Sequence, residues 1–118
     1  MSVHARLGVA VIVVALIGAV LALVARRRTD LVPTVRVFVR LCAATAGVEA
    51  VVGLVLLATG SRPTEAIHLF YGAATVVPIP AAELLARRLQ PRDEMLYLLG
   101  GAVAMVLFGI RAVTTGNA

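Results

Sequence analysis

The sequence is poor in the residues that carry most soluble-protein chemistry. It has one cysteine (Cys42), no lysine and no tryptophan, and only 14% of its 118 residues are charged. A single cysteine excludes an intramolecular disulfide and provides no metal-ligand spacing. The sequence also contains no CxxC pair, no HExxH and no glycine-rich phosphate loop. We therefore expect neither a metal site nor an enzyme.

Apolar residues are abundant and lie in blocks. They make up 61% of the chain, against about 45–50% in soluble domains, and the mean hydropathy is +1.02. A helix needs roughly 17–25 apolar residues to cross the hydrocarbon layer of a bilayer. The pattern predicts one all-α domain over residues 1–118, an integral membrane four-helix bundle. Its spans are expected at about 7–25, 37–58, 66–86 and 94–113.

The basic residues predict how the bundle is oriented. Arginines gather in short cytoplasmic loops, and here the first and third connections with their flanks hold eight of the eleven. We expect a multi-pass protein of the cell membrane, with antiparallel helices, short loops and both termini outside. The arginine clusters would contact the lipid bilayer and its anionic lipids, so the +5 charge does not indicate nucleic-acid binding. The eight are Arg26, Arg27, Arg28, Arg36, Arg40, Arg87, Arg88 and Arg92.

The first apolar block could instead be a signal peptide. A signal peptide carries its basic residues before the apolar run and a small-residue cleavage site after it. Here the basic cluster Arg26–Arg28 follows the run. A retained span is therefore expected.

Glu49 is the polar residue most in need of explanation, because it falls near the middle of the second predicted span. A carboxylate there costs a few kcal/mol even on lenient insertion scales. No arginine or histidine is expected at that depth, whereas Thr75 is. Glu49 is therefore either a neutral acid that donates a hydrogen bond to Thr75 or to a carbonyl freed by proline, or a proton, cation or ligand site together with Thr75 and Tyr71.

A second polar feature lies at the outer end of the third span. Glu65, His68, Gly72 and Thr75 follow helical spacing and form a stripe that leads towards the depth of Glu49. The stripe could be a proton path, or His68 and Tyr71 could only anchor the helix at the interface. A haem or quinone site at His68 is a weaker alternative, since the other histidine, His4, is expected in an exposed N-terminus.

The charges near span ends are expected to be structural. Arg111 could pair with Glu65 or extend to the interface. Glu83 precedes Arg87 by one helical turn and is expected at the depth of Arg40, so either arginine could neutralise it.

Pro78 and Pro80 predict a kink in the third span. Each removes a backbone donor, which frees the carbonyls of Ala74 and Val76. Glycine and alanine are frequent in the other spans, as expected where helices approach closely in lipid.

Short motifs resemble known membrane proteins. His68–Gly72, Pro78 and Arg111–Gly116 look like a class of small uncharacterised bacterial four-helix membrane proteins, and the likeness covers most of residues 41–116. Gly47-Val48-Glu49 followed by Gly53-Leu54 is similar to the second-helix pattern of DoxX-like proteins. The resemblance implies a four-helix membrane fold and draws attention to Glu49 and His68, without implying an activity or a cofactor.

Three functions remain open at this point. The first is an accessory or interaction subunit of a membrane complex, with a membrane-protein partner or a second copy of the chain. The second is a proton-coupled small-solute carrier or channel that uses Glu49. The third is a haem- or quinone-binding protein that uses His68.

Overall fold

The computed structural model describes residues 3–60 and 67–116, and it is helical throughout, with no strand in either range. The elements are α1 (Val3–Ala25), a 3-10 turn (Thr29–Leu31), α2 (Val32–Ala58), α3 (Ile67–Ala74), α4 (Pro78–Leu85) and α5 (Pro91–Gly116). The all-α class is therefore confirmed. Each predicted span corresponds to one or two of these helices.

The ends of α2 follow from its sequence. Pro33 lies in the first turn, where a missing backbone N–H leaves no hydrogen bond unmade. At the other end the amide of Thr59 donates to the Val55 carbonyl and the amide of Gly60 donates to that of Leu57. Gly60 has φ +102°, a left-handed conformation that suits glycine and ends the helix.

The third predicted span is interrupted at its prolines. The α-helix stops at Ala74, residues 75–77 form a turn, and α4 begins at Pro78. Pro78 and Pro80 cannot donate to the carbonyls one turn before them, so a continuous helix is lost there. The predicted kink is therefore a full break, and the span expected over 66–86 is two eight-residue helices.

The helices pack around α5, which contacts α1, α3 and α4, while α1 also contacts α2. The buried core consists largely of small side chains, with a few larger ones towards α5. Many large apolar side chains face outwards instead, including Leu54, Phe70 and Leu107, each at least 60% exposed. Small residues inside and large ones outside are typical of helices that pack in lipid. Core members include Ala15, Ala22, Val35, Val39, Ala46, Ile79, Met95, Leu98 and Met105.

The closest helix approach lies at Gly101 on α5. A Cβ added there would be 2.9 Å from the Pro78 carbonyl oxygen and 3.0 Å from the Cβ of Ala82. Its neighbour Gly100 would meet nothing within 4 Å. The helix break is therefore held against α5 at a position where a larger residue would have to push the backbone away, whereas Gly100 is not a packing position.

Four helical stretches within the described chain have the length and apolar composition needed to cross a membrane: His4–Ala25, Thr29–Ala58, Ile67–Leu85 and Pro91–Thr115. The third includes the proline break. The molecule measures 46 × 24 × 18 Å along its principal axes. Its longest dimension is close to the thickness of a bilayer with its headgroups, about 40–45 Å.

Candidate functional site

Glu49 lies against a histidine that was not expected beside it. The first turn of α1 carries His4, whose Nδ1 lies 2.6 Å from Glu49 Oε1. The two atoms are close, but their geometry is not that of an aligned hydrogen bond. Both side chains are mostly covered, at 23% and 15% exposure. The expectation that no histidine lies at the depth of Glu49 is therefore wrong.

The error comes from where α1 begins. His4 was expected in an exposed N-terminus, but α1 already starts at Val3, so His4 lies on the helix. Its position continues the buried face of α1 through Val11, Ala15 and Ala22. This helical spacing is the signal that could have located His4.

The structure also places Glu49 relative to α1. α2 starts at Val32 and extends through Ala58, and the first turn of α1 reaches only the level of Glu49 and Gly53. The middle of α2 therefore lies beside the beginning of α1. Glu49 is at one end of the α1–α2 contact rather than halfway along it.

One glycine, Gly53, leaves room for the imidazole. A Cβ on Gly53 would lie 3.2 Å from His4 Cε1, whereas one on Gly8 would lie at an ordinary contact distance, 3.7 Å, from Glu49 Oε1. The absence of a side chain at Gly53 lets α1 and α2 approach closely enough for the imidazole to reach the carboxylate. Glu49 Oε2 is buried and has no hydrogen-bond partner among the residues that the structure describes.

The second histidine lies next to the first. The rings of His4 and His68 meet edge to face, with centroids 5.8 Å apart. His68 Nδ1 is 2.6 Å from the carbonyl oxygen of Ala112 on α5. Since a carbonyl only accepts, Nδ1 must carry the hydrogen and donate it. The neutral ring then keeps its lone pair on Nε2, which can accept a proton or bind a ligand.

Thr75 and Tyr71 do not join this cluster of His4, Glu49 and His68. Thr75 is buried, and its hydroxyl donates to the Gly72 carbonyl one turn back, at 2.7 Å. The ring of Tyr71 lies under the guanidinium of Arg111, with Cζ 5.5 Å from the ring centroid. A Thr75–Glu49 hydrogen bond is therefore not formed, because helix α3 ends at Ala74 and the threonine caps its own turn.

The described part of the predicted polar stripe does not form a continuous row, because His68 and Thr75 make their hydrogen bonds elsewhere. Glu65 lies outside the described residues, so its predicted pairing with Arg111 and its place in the stripe stay predictions. Within the described part, His68 turns towards α5 and Thr75 bonds locally. His68 contacts His4, and His4 contacts Glu49; no row of polar residues on the described part of α3 links His68 to Glu49.

Two arginine–glutamate ion pairs lie at the opposite end of the helices. Arg40 Nε is 3.4 Å from Glu83 Oε2, as predicted. Arg87 forms no ion pair with any described residue, because α4 ends at Leu85 and Arg87 follows in a turn rather than on the next helical turn. The strongest pair was not predicted: Arg36 donates two hydrogen bonds to Glu94, at 2.8 and 2.6 Å.

Opposite charge at the start of α5 could have indicated the Arg36–Glu94 pair. The sequence places Asp93 and Glu94 in the first turn of α5, and Arg36 one turn before Arg40 on α2. Bidentate geometry makes this contact stronger than the single Arg40–Glu83 contact.

No family model, curated protein or solved structure matches this chain. Nor does any group of three histidine, cysteine, aspartate or glutamate side chains among the described residues have the placement needed for a metal ion. The cluster of His4, Glu49 and His68 is thus interpreted from its own geometry. Each of its side chains can bind or release a proton.

Proposed function

We propose that the protein spans the cell membrane four times as an antiparallel bundle, with both termini outside. The four apolar helical stretches and the 46 Å length support this, as does the excess of arginine in loops one and three. Contacts of Val14 with Cys42 and of His4 with Glu49 run in opposite directions along α1 and α2. In this orientation the His4–Glu49–His68 cluster lies towards the outer side.

Within this frame, the function best supported is proton binding by the cluster, as part of a small proton channel or proton-coupled carrier. The observation that carries it is the 2.6 Å contact between His4 Nδ1 and Glu49 Oε1 at a mostly covered position. Ionisable residues within membrane spans commonly mark proton and ion pathways. A histidine–carboxylate pair can exist as an ion pair or, with one proton fewer or more, as a singly charged site.

Proton flux into reconstituted vesicles tests this proposal. Vesicles that enclose a pH-sensitive dye are given an inward proton gradient, with and without a low-molecular-weight cell extract as a source of solutes. We expect the unaltered protein to acidify the lumen and Glu49→Gln to remove most of that flux. Glu83→Gln, at the other end of the bundle, is the matched control and should retain it. Equal rates for Glu49→Gln and the unaltered protein would refute the proposal.

An accessory or interaction subunit is the second candidate. It is supported by the outward-facing surface of large apolar side chains, including Val20, Leu54 and Leu107, which a partner helix can cover as readily as lipid does. On this view the His4–Glu49 pair only fixes α1 against α2. Extraction in a mild detergent should then recover a complex heavier than the 12.3 kDa chain.

Two observations favour the haem or quinone alternative. The first is that the two histidine rings are neighbours rather than far apart. His68 also has its Nδ1 fixed by a carbonyl, an arrangement common for histidines that ligate a metal through the other nitrogen. The same purification distinguishes this candidate: a haem protein is coloured, with a Soret band, and a quinone is found by extraction into organic solvent.

A further inference from the structure

A separate feature lies on the outward face of α3, the helix break and α5. There an apolar groove of about 490 Å³ runs beside Phe70, Ala73 and Val77 on one side and Ala104 and Phe108 on the other, and Pro78 also lines it. The groove is open to the outside rather than enclosed. The groove lies beside the break between α3 and α4, and three of its lining residues are alanines: Ala73, Ala74 and Ala104.

One end of the groove is marked by a cation. The rings of Phe70 and Phe108 lie next to Tyr71, at centroid distances of 5.3 and 6.4 Å. The guanidinium of Arg111 lies over that tyrosine, and Arg111 is exposed. Arg111 is therefore at the rim of the groove, at the end where α5 approaches the membrane surface.

The geometry points to a phospholipid as the occupant: one acyl chain in the groove and the phosphate at Arg111. Ala104 and Arg111 are seven residues apart on α5, which is about 10 Å along the helix axis. This spacing places an apolar channel directly below a cation, in the order of a lipid chain below its headgroup. Guanidinium groups bind phosphate oxygens through paired hydrogen bonds.

Charge complementarity favours lipid over a protein helix. A helix in the groove would need an acidic side chain at one defined position to meet Arg111, whereas every phospholipid presents a phosphate at interfacial depth. Arginine near the end of a span extends to that depth. The site is independent of the proton-binding cluster, since none of its lining residues belongs to that cluster.

Native mass spectrometry of the detergent-extracted full chain tests the inference, with phosphatidylglycerol as the probe and diacylglycerol of the same chains as the phosphate-free probe. We expect one phosphatidylglycerol per chain for the unaltered protein. Ala104→Leu fills the groove and should abolish retention of both probes. Its control is Val103→Leu, on the exposed surface beside the groove, which should leave retention unchanged.

The headgroup contact is tested separately. Arg111→Gln should weaken phosphatidylglycerol binding about fivefold, as expected for one arginine near an anionic headgroup, and should not alter diacylglycerol binding. Arg88→Gln, at the other end of the bundle, should change neither. The inference is overturned if Ala104→Leu retains lipid as the unaltered chain does, if Arg111→Gln has no effect, or if Ala104→Leu instead dissociates a dimer, which would make a second copy the occupant.

Discussion

At the residue scale, the contacts of the acidic side chains within the bundle lie towards its two ends. The cluster of His4, Glu49 and His68 occupies one end, and the Arg36–Glu94 and Arg40–Glu83 pairs occupy the other. The two arginine pairs differ in geometry. Arg36 makes two short hydrogen bonds to a carboxylate that is only 16% exposed, whereas Arg40 makes one contact at 3.4 Å and is 67% exposed.

The Arg36–Glu94 pair should therefore contribute more to stability. A double-mutant cycle with Arg36→Gln and Glu94→Gln should give a coupling free energy of about 1 kcal/mol, because two charge-assisted bonds are partly shielded from solvent. The matched cycle with Arg40→Gln and Glu83→Gln should give about 0.3 kcal/mol or less. Unfolding in mixed micelles with increasing dodecyl sulfate measures both. Equal coupling in the two cycles would contradict this ranking.

At the element scale, the break between α3 and α4 organises the packing of α5. Pro78 both starts α4 and presents its carbonyl to Gly101 at close range. The two adjacent glycines on α5 thus have different surroundings. The same glycine-to-alanine substitution can therefore be compared at a crowded position, Gly101, and at an open one, Gly100.

Gly101→Ala should destabilise the fold by about 1–3 kcal/mol, because the new methyl group would press on the Pro78 carbonyl and α5 would have to move away. Gly100→Ala should be neutral or stabilising by about 0.5–1 kcal/mol, since alanine is the better helix former and nothing lies within 4 Å. The same micelle unfolding assay compares them. A Gly100→Ala variant that is the less stable of the two would show that α5 packs differently.

The helices themselves were largely predictable, because long apolar runs and arginine-rich connections are strong signals. Helix α2 begins at Val32 and α1 at Val3, before residues 37 and 7, where the predicted spans begin. These few residues matter little for the fold, but they decide the site. Because α1 starts at Val3, His4 lies on the helix and contacts Glu49 on α2.

The partners of Glu49 could not be derived in the same way. Hydropathy fixes which segments cross a membrane, whereas the offset between two helices depends on which small residues lie opposite each other. Here Gly53 leaves room for the His4 ring, since a Cβ there would lie 3.2 Å from His4 Cε1. His68 was identified as notable, yet its hydrogen bond to Ala112 depends on the position of α5, which local sequence does not specify.

At the scale of the whole molecule, the proposed orientation makes a direct prediction about access from the two sides. The only native cysteine, Cys42, is 1% exposed and should not react with a membrane-impermeant maleimide. Ser61→Cys in the second connection should be labelled from outside intact cells, and Arg88→Cys in the third only after permeabilisation. The reverse pattern would invert the topology and place the His4–Glu49–His68 cluster on the cytoplasmic side.

Nitrogen-15 NMR of the histidine side chains in bilayers tests most directly whether His4 and Glu49 form one proton-binding unit. The chain has only two histidines, so His4→Gln assigns both sets of signals. We predict that Glu49→Gln lowers the pH at which the His4 signals change, because the ring loses the neighbouring negative charge. His68 should show a protonated Nδ1 in both proteins. Identical His4 titrations with and without the Glu49 carboxylate would contradict a shared proton-binding unit.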